Sequence, residues 1–263
     1  MRKYYYIFKA TLIESFQYLM NIALGFVTFF VMLFVFMNLW KYMYSDSAGL
    51  INGYSFEQMI WYVILTETIW FGGRNATLTF HMSNDIKSGA IAYGINKPYH
   101  YIYYIIAKHL GETAIKFLLY FIIGILIGYG FVGGIPDFKL YQLPFALLSF
   151  FLGIMISSFL YMSISVLSFW IEDSTPFHWI YDKMLVIIGT IFPIELFPAW
   201  AQPAIKASPI FVVTYSPAKL MIDFSTDMAV RVFTLQIIYF VVTLFLLNTL
   251  FQKGVKKLNV NGG

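Results

Sequence analysis

The residues in this sequence that could do chemistry are few and widely separated. Glu67 stands in a long apolar stretch, and Glu195 lies between Pro193 and Pro198. A carboxylate inside a membrane-spanning helix is costly and by default indicates function, such as contact with a cationic substrate or a proton site. The alternative for Glu67 is structural: a carboxylate that is hydrogen-bonded to neighbouring helices or that reaches water.

One short region brings several acids and a histidine together. It contains Glu172, Asp173, His178 and Asp182. A membrane-embedded enzyme of lipid metabolism would need such a cluster at one interface. The simpler interpretation is a solvated turn around Pro176.

Other chemistries lack the residues that they require. The chain has no cysteine, and no glycine in it begins the G-x-x-x-x-G-K-[ST] pattern that cradles phosphates. A serine of the G-x-S-x-G type is also absent, and the four histidines are scattered. We therefore predict no catalytic residue, metal or bound cofactor in this chain, and any energy from ATP must come from a partner.

Composition indicates the solvent around most of the chain. Of the 263 residues, 60% are apolar and only 11% are charged, and the mean hydropathy is +0.73. An ordinary soluble domain has about 25% charged residues. The positive net charge is spread over loops, so nucleic acid is not an expected partner. The sequence predicts an all-α integral membrane protein surrounded by lipid.

Six apolar stretches approach the ~20 residues that a helix needs to cross a bilayer. The predicted spans cover residues 20–40, 55–73, 117–135, 143–170, 177–197 and 232–251. Before them, residues 1–19 repeat apolar side chains at helical spacing, which predicts an interfacial helix. The alternative is that this segment extends the first span. Together these elements predict a single transmembrane domain over residues 1–263.

The basic residues predict the orientation. With six spans, one side of the membrane receives most of the 17 lysines and arginines. The other side keeps Lys41, Lys139, Lys206, Lys219 and Arg231. Because loops rich in lysine and arginine remain inside, we expect a multi-pass protein of the cell membrane with both termini in the cytoplasm.

The segment after the second predicted span carries a family resemblance. It contains an acid-Ile-basic-x-Gly-x-Ile pattern, followed by a basic-Pro pair. These read Asp85-Ile86-Lys87-Ser88-Gly89-Ala90-Ile91 and Lys97-Pro98. The segment resembles the permease subunits of type-two ABC exporters, most closely the multidrug and viologen-exporter-like branch.

Two further stretches fit the same resemblance. Residues 189–200 are similar to the end of the fifth span in that family and the extracellular re-entrant segment that follows it. Residues 253–258 are similar to its short basic C-terminal tail. The resemblance therefore extends over nearly the whole chain, in order.

The resemblance implies partners and residue roles. A separate ABC ATPase subunit would bind ATP and Mg, and a second permease, identical or homologous, would complete a dimer in the membrane. The residues implied in coupling to the ATPase are Asp85, Ile86, Lys87, Gly89, Ile91, Lys97 and Pro98. The alternative is a generic linker that Lys87 and Lys97 hold to lipid headgroups. Glu67, Pro193, Glu195 and Pro198 become candidates for the translocation path.

Two functions remain open at this point. The first is ATP-driven export of amphipathic or hydrophobic substrates, such as drugs, peptides or lipids. The second is a polytopic membrane protein of assembly or sensing that transports nothing and whose cytoplasmic loop docks another partner. Loss of the coupling segment would affect export under the first and would change only localisation under the second.

Overall fold

The computed structural model describes residues 2–17, 19–45, 49–73, 78, 81–171 and 173–258. In this part of the chain the regular elements are helices, apart from one β-bridge between Ile51 and Tyr54. The α-helices are α1 (Arg2–Gln17), α2 (Leu19–Ser45), α3 (Phe56–Gly73), α4 (Met82–Lys87), α5 (Ile91–Ile95), α6 (Tyr101–Val132), α7 (Leu143–Val166), α8 (Thr175–Met184), α9 (Gln202–Lys206), α10 (Ser216–Ile222) and α11 (Thr226–Leu258). Wider π-helical turns cover Leu185–Ile191 and Phe211–Tyr215.

Four helices in the described ranges are long and apolar enough to cross a membrane. These stretches are Ala23–Ser45, Tyr101–Val132, Leu140–Phe169 and Thr226–Lys257. The outer faces of α2, α6 and α11 expose large apolar side chains, including Leu24, Phe34, Leu126 and Phe245. Apolar groups exposed in this number need lipid around them, so the fold is that of an α-helical membrane protein.

Helix α6 begins well before the predicted span at 117–135. Lys108 and Lys116 precede that predicted span, and both lie within the continuous helix. Helix α1 packs along α6 and closely approaches Gly111, which lies between the two lysines. The predicted fifth span, 177–197, is divided in the structure into α8, a π-helical turn and the 3-10 turn Ile194–Leu196.

Helix α3 lies at the centre of the molecule. Every residue from Met59 to Ile69 is buried, so α3 has no exposed face over that length. It packs against α2, α6, α10 and both π-helical turns. A helix that is buried on every side has no solvent-facing polar side, which explains why α3 shows no amphipathic pattern.

Contacts between distant segments define two ends of the molecule. At one end Lys87, after α3, pairs with Asp173, which precedes α8. At the other end Tyr54, before α3, contacts Glu195, which follows α8. We call these the Asp173 end and the Glu195 end.

Side chains from α3 and α11 bind the carbonyl oxygens that the π-helical segments present. The Tyr62 hydroxyl donates to the carbonyl oxygen of Gly189 at 2.9 Å. The Thr66 hydroxyl lies 3.0 Å from the carbonyl oxygen of Thr190. The Gln236 amide donates to the carbonyls of Ser149 and Val212, each at 2.9 Å. Buried backbone that departs from α-helical geometry needs such partners for its polar groups.

Small residues permit the closest helix contacts. A Cβ atom on Gly153 would lie 2.8 Å from the carbonyl oxygen of Val213, and one on Gly128 would lie 2.5 Å from the Trp61 ring. On α6, a Cβ atom on Gly111 would lie 2.7 Å from the carbonyl oxygen of Phe8 in α1. These glycines pack helices within the chain, as small residues do in membranes.

We expect Gly111→Ala to destabilise the docking of α1, because its methyl group meets backbone that cannot rotate away. The free energy of unfolding should fall by about 1–3 kcal/mol, the usual cost of overpacking. Gly130→Ala on the same helix is the matched control, since nothing lies within 4 Å of its Cβ position. Thermal unfolding in detergent would contradict the close contact if the two variants melt alike.

Candidate functional site

The predicted coupling segment forms a bent pair of short helices at the Asp173 end. Gly89, between α4 and α5, has φ +74°, a left-handed conformation that other residues adopt only with strain. Ile86 and Ile91 are buried on the inner side of the bend. We call residues 82–98 the elbow.

Two polar contacts fix the elbow to the membrane helices. The Tyr101 hydroxyl, at the start of α6, donates to Asp85 Oδ2 at 2.7 Å. The Lys87 ammonium donates to Asp173 Oδ1 at 2.8 Å. Hydrogen bonds from Lys87 and Thr175 lower the pKa of Asp173 from 3.8 to about 2. The Lys87–Asp173 pair therefore stays charged at neutral pH, and its stabilisation is lost only as the pH falls from about 4 toward 2.

The elbow also contacts the N-terminal helix. The Lys3 ammonium donates to the carbonyl of Pro98, and the backbone N–H of His100 donates to the Tyr4 hydroxyl at 3.0 Å. Lys97 is exposed, with its ammonium 6.0 Å from the centre of the Tyr99 ring. The end of the elbow is thus held by α1, a tie that the sequence pattern did not indicate.

The outer side of the elbow faces away from the protein. Ser88, Gly89, Ala90 and Ala92 are exposed, and Tyr93 has 80% of its surface exposed. Small side chains around one projecting aromatic ring form a surface that a partner groove can receive, since tyrosine is a frequent anchor in protein interfaces.

The acid and histidine cluster is not assembled into one site. Asp173 binds Lys87, whereas Asp182 accepts a hydrogen bond from Tyr161. The Nε2 atom of His178 lies 3.0 Å from the Ser165 hydroxyl. Glu172 lies outside the described residues. Within the described ranges no group of three or more such side chains is arranged to hold a metal ion.

Glu67 lies deep inside the bundle. Its side chain is 2% exposed, about three turns into α3. Its Oε2 atom has no hydrogen-bond partner among the residues that the structure describes. Most buried polar atoms are hydrogen-bonded, so this oxygen is an exception within the described residues.

Glu195 joins three segments at the other end of the molecule. Tyr54 donates to Oε2 at 3.0 Å, and Tyr215 donates to Oε1. The Asn52 amide binds the backbone carbonyl of Glu195 at 3.0 Å. Burial raises the pKa of Tyr54 well above its ordinary value, so its hydroxyl keeps the proton that it donates. Lys219 places its ammonium 4.1 Å above the Tyr54 ring.

The two prolines near Glu195 have different surroundings. Pro193 is buried and precedes the 3-10 turn that carries Glu195, whereas Pro198 is exposed. Proline lacks the N–H that would continue a helix, so the backbone stays irregular between them. The structure thus holds Glu195 on a short rigid turn, separate from Glu67 on α3.

We expect Tyr215→Phe to lower the free energy of unfolding by about 1–3 kcal/mol, because the Glu195 side chain loses the hydrogen bond that Tyr215 donates to it. Tyr141→Phe is the control, since Tyr141 is an exposed ring at the same end. Equal melting temperatures for the two variants in detergent would contradict the Glu195 contact.

Comparison with known proteins agrees with the observed architecture. No curated protein matches the chain. The family model described as ABC-2 family transporter protein matches residues 16–262. That match covers the long apolar helices, the elbow and the Glu195 turn alike. The chain therefore belongs to the ABC-2 family of transporter proteins.

Proposed function

We propose that this chain is the membrane subunit of an ATP-driven exporter of amphipathic or hydrophobic substrates, powered by a separate ATPase. Membership of the family implies a partner ATPase subunit. The observation that carries the proposal is the elbow, which exposes a compact surface and is fixed to three helical elements. A push on that surface would reach α1, α6 and the α7–α8 junction directly.

The proposed topology has six crossings. Besides the four long apolar helices, α3 crosses as the central helix and α8 crosses together with its π-helical turn. The contacts at the two ends support this arrangement, because every connection then alternates between the Asp173 end and the Glu195 end. The density of basic residues at the Asp173 end supports a cytoplasmic position for that end and for both termini.

The Glu195 end would be the extracellular exit. Residues 192–222 form short, broken helices there, as expected of a segment that enters the membrane and returns. Pro193, Glu195 and Pro198 would shape the exit, and Glu67 would face the path deeper in the membrane. A second permease, identical or homologous, would complete the path across a dimer interface.

Tyr93→Ala tests the docking surface. Because Tyr93 is 80% exposed, its removal should leave the fold intact and weaken binding of the co-purifying ATPase about tenfold. The measurement is the affinity of the purified ATPase for the permease in detergent.

The control is Tyr42→Ala, since Tyr42 is 74% exposed near the C-terminal end of α2. It should bind the ATPase as the wild type does. Unchanged affinity for both variants, in permease that exports normally, would contradict the docking role. Absence of any co-purifying ATPase would remove the energy source and favour the assembly or sensory alternative.

Glu67→Gln tests the proposed path. We expect export of a cationic dye to fall several-fold while export of an uncharged dye is retained, because only the cation would interact with the carboxyl group. The melting temperature should change little, since the amide has nearly the same size and shape as the buried carboxyl group. Equal loss of both dyes, or of neither, would assign Glu67 a structural role instead.

A further inference from the structure

An open groove of about 660 Å³ lies at the Glu195 end, between α9 and the start of α11. Its walls include Gln202 and Lys206 from α9, and Arg231, Thr234 and Leu235 from α11. The volume is in the range of small-molecule sites. The Tyr239 hydroxyl donates to the carbonyl of Ala207, which holds the two walls together.

The groove has uncompensated positive charge. Within the described chain, neither Lys206 nor Arg231 forms an ion pair, although Asp227 lies one turn before Arg231 on α11. Lys219, a third cation at this end, is already paired with Asp223 at 2.9 Å. Two cations on facing walls, one of them half-buried, attract an anion into the space between them.

Beyond Arg231, toward the C-terminal end of α11, the wall of the groove continues as an apolar stripe. Leu235 lines the groove, and Ile238, Val242 and Phe245 follow on the same face of α11 at intervals of three and four residues. These three side chains are exposed, Phe245 by 72%. The two cations would suit the headgroup of an anionic lipid, and the apolar stripe beside them would suit its acyl chain.

We propose that this groove binds the phosphodiester headgroup of an anionic lipid in the adjoining leaflet. The planar guanidinium group of Arg231 would donate hydrogen bonds to two phosphate oxygens, and Lys206 would supply a second positive charge. Thr234 already donates to the carbonyl of Val230 at 2.8 Å, so its oxygen is left to accept from a headgroup hydroxyl. The acyl chain would lie along the α11 stripe.

This chemistry distinguishes between lipids. A phosphatidylglycerol headgroup carries one negative charge and two hydroxyls, which suit the cations and Thr234. A phosphatidylcholine headgroup brings an ammonium that the cations repel. Binding needs no ATP and no transport, so it can be measured whether or not the proposed export occurs.

The test is native mass spectrometry of the purified protein in an uncharged detergent, titrated with phosphatidylglycerol or phosphatidylcholine. We expect phosphatidylglycerol to bind at least about tenfold more tightly. The double variant Lys206→Gln, Arg231→Gln should lose that preference. The control Lys41→Gln, Lys139→Gln removes two exposed cations that do not line the groove and should keep it.

Three results would overturn the proposal. The first is equal binding of the two lipids by the wild type. The second is a preference that survives the double variant or, should that variant not fold, survives the single variant Arg231→Gln. The third is displacement of phosphatidylglycerol by inorganic phosphate at equal concentration, which would identify an anion site with no use for the lipid chain.

Discussion

In an apolar solvent every backbone polar group must find a partner within the protein, and this requirement shapes the centre of the molecule. The turns 185–191 and 211–215 depart from α-helical geometry. Tyr62 and Thr66 of α3 and Gln236 of α11 reach the carbonyls in and beside those turns. Helices α3 and α11 thus stabilise the backbone of segments that depart from α-helical geometry. The Glu195 turn can exist at its position because the segment before it is held in this way.

The elbow illustrates how charge and packing act together at the opposite end. Its inner side is fixed by buried Ile86 and Ile91, and its edges by Asp85 and Lys87, while the side chains on its outer side are exposed. The contacts lead to different helices, so a displaced elbow would move them relative to one another. Through such contacts between packed elements, a small displacement at one site can rearrange whole helices.

The sequence was sufficient for the class of fold and for much of the helix pattern. Long apolar runs predict long helices because a bilayer demands them. The contacts between segments were out of reach: Lys87 and Asp173 are 86 positions apart, and Tyr54 and Glu195 are 141 apart. One residue in the sequence did indicate a buried polar contact, since Gln236 is a polar amide inside an apolar span. Its partners could not be predicted, because they are backbone carbonyls, which every residue has. The start of α6 also differed from the prediction, since the helix continues through Lys108 and Lys116 and packs against α1.

The central claim is that the elbow is where an ATPase docks. Because the chain has no cysteine, Tyr93→Cys and Tyr42→Cys each give a single cross-linking site without further changes. We would label each variant with a short photoreactive reagent in native membranes and identify the cross-linked protein by mass spectrometry. The account predicts an ATPase attached at position 93 and none at position 42. An ATPase captured equally at both positions, or a different protein at position 93, would contradict it.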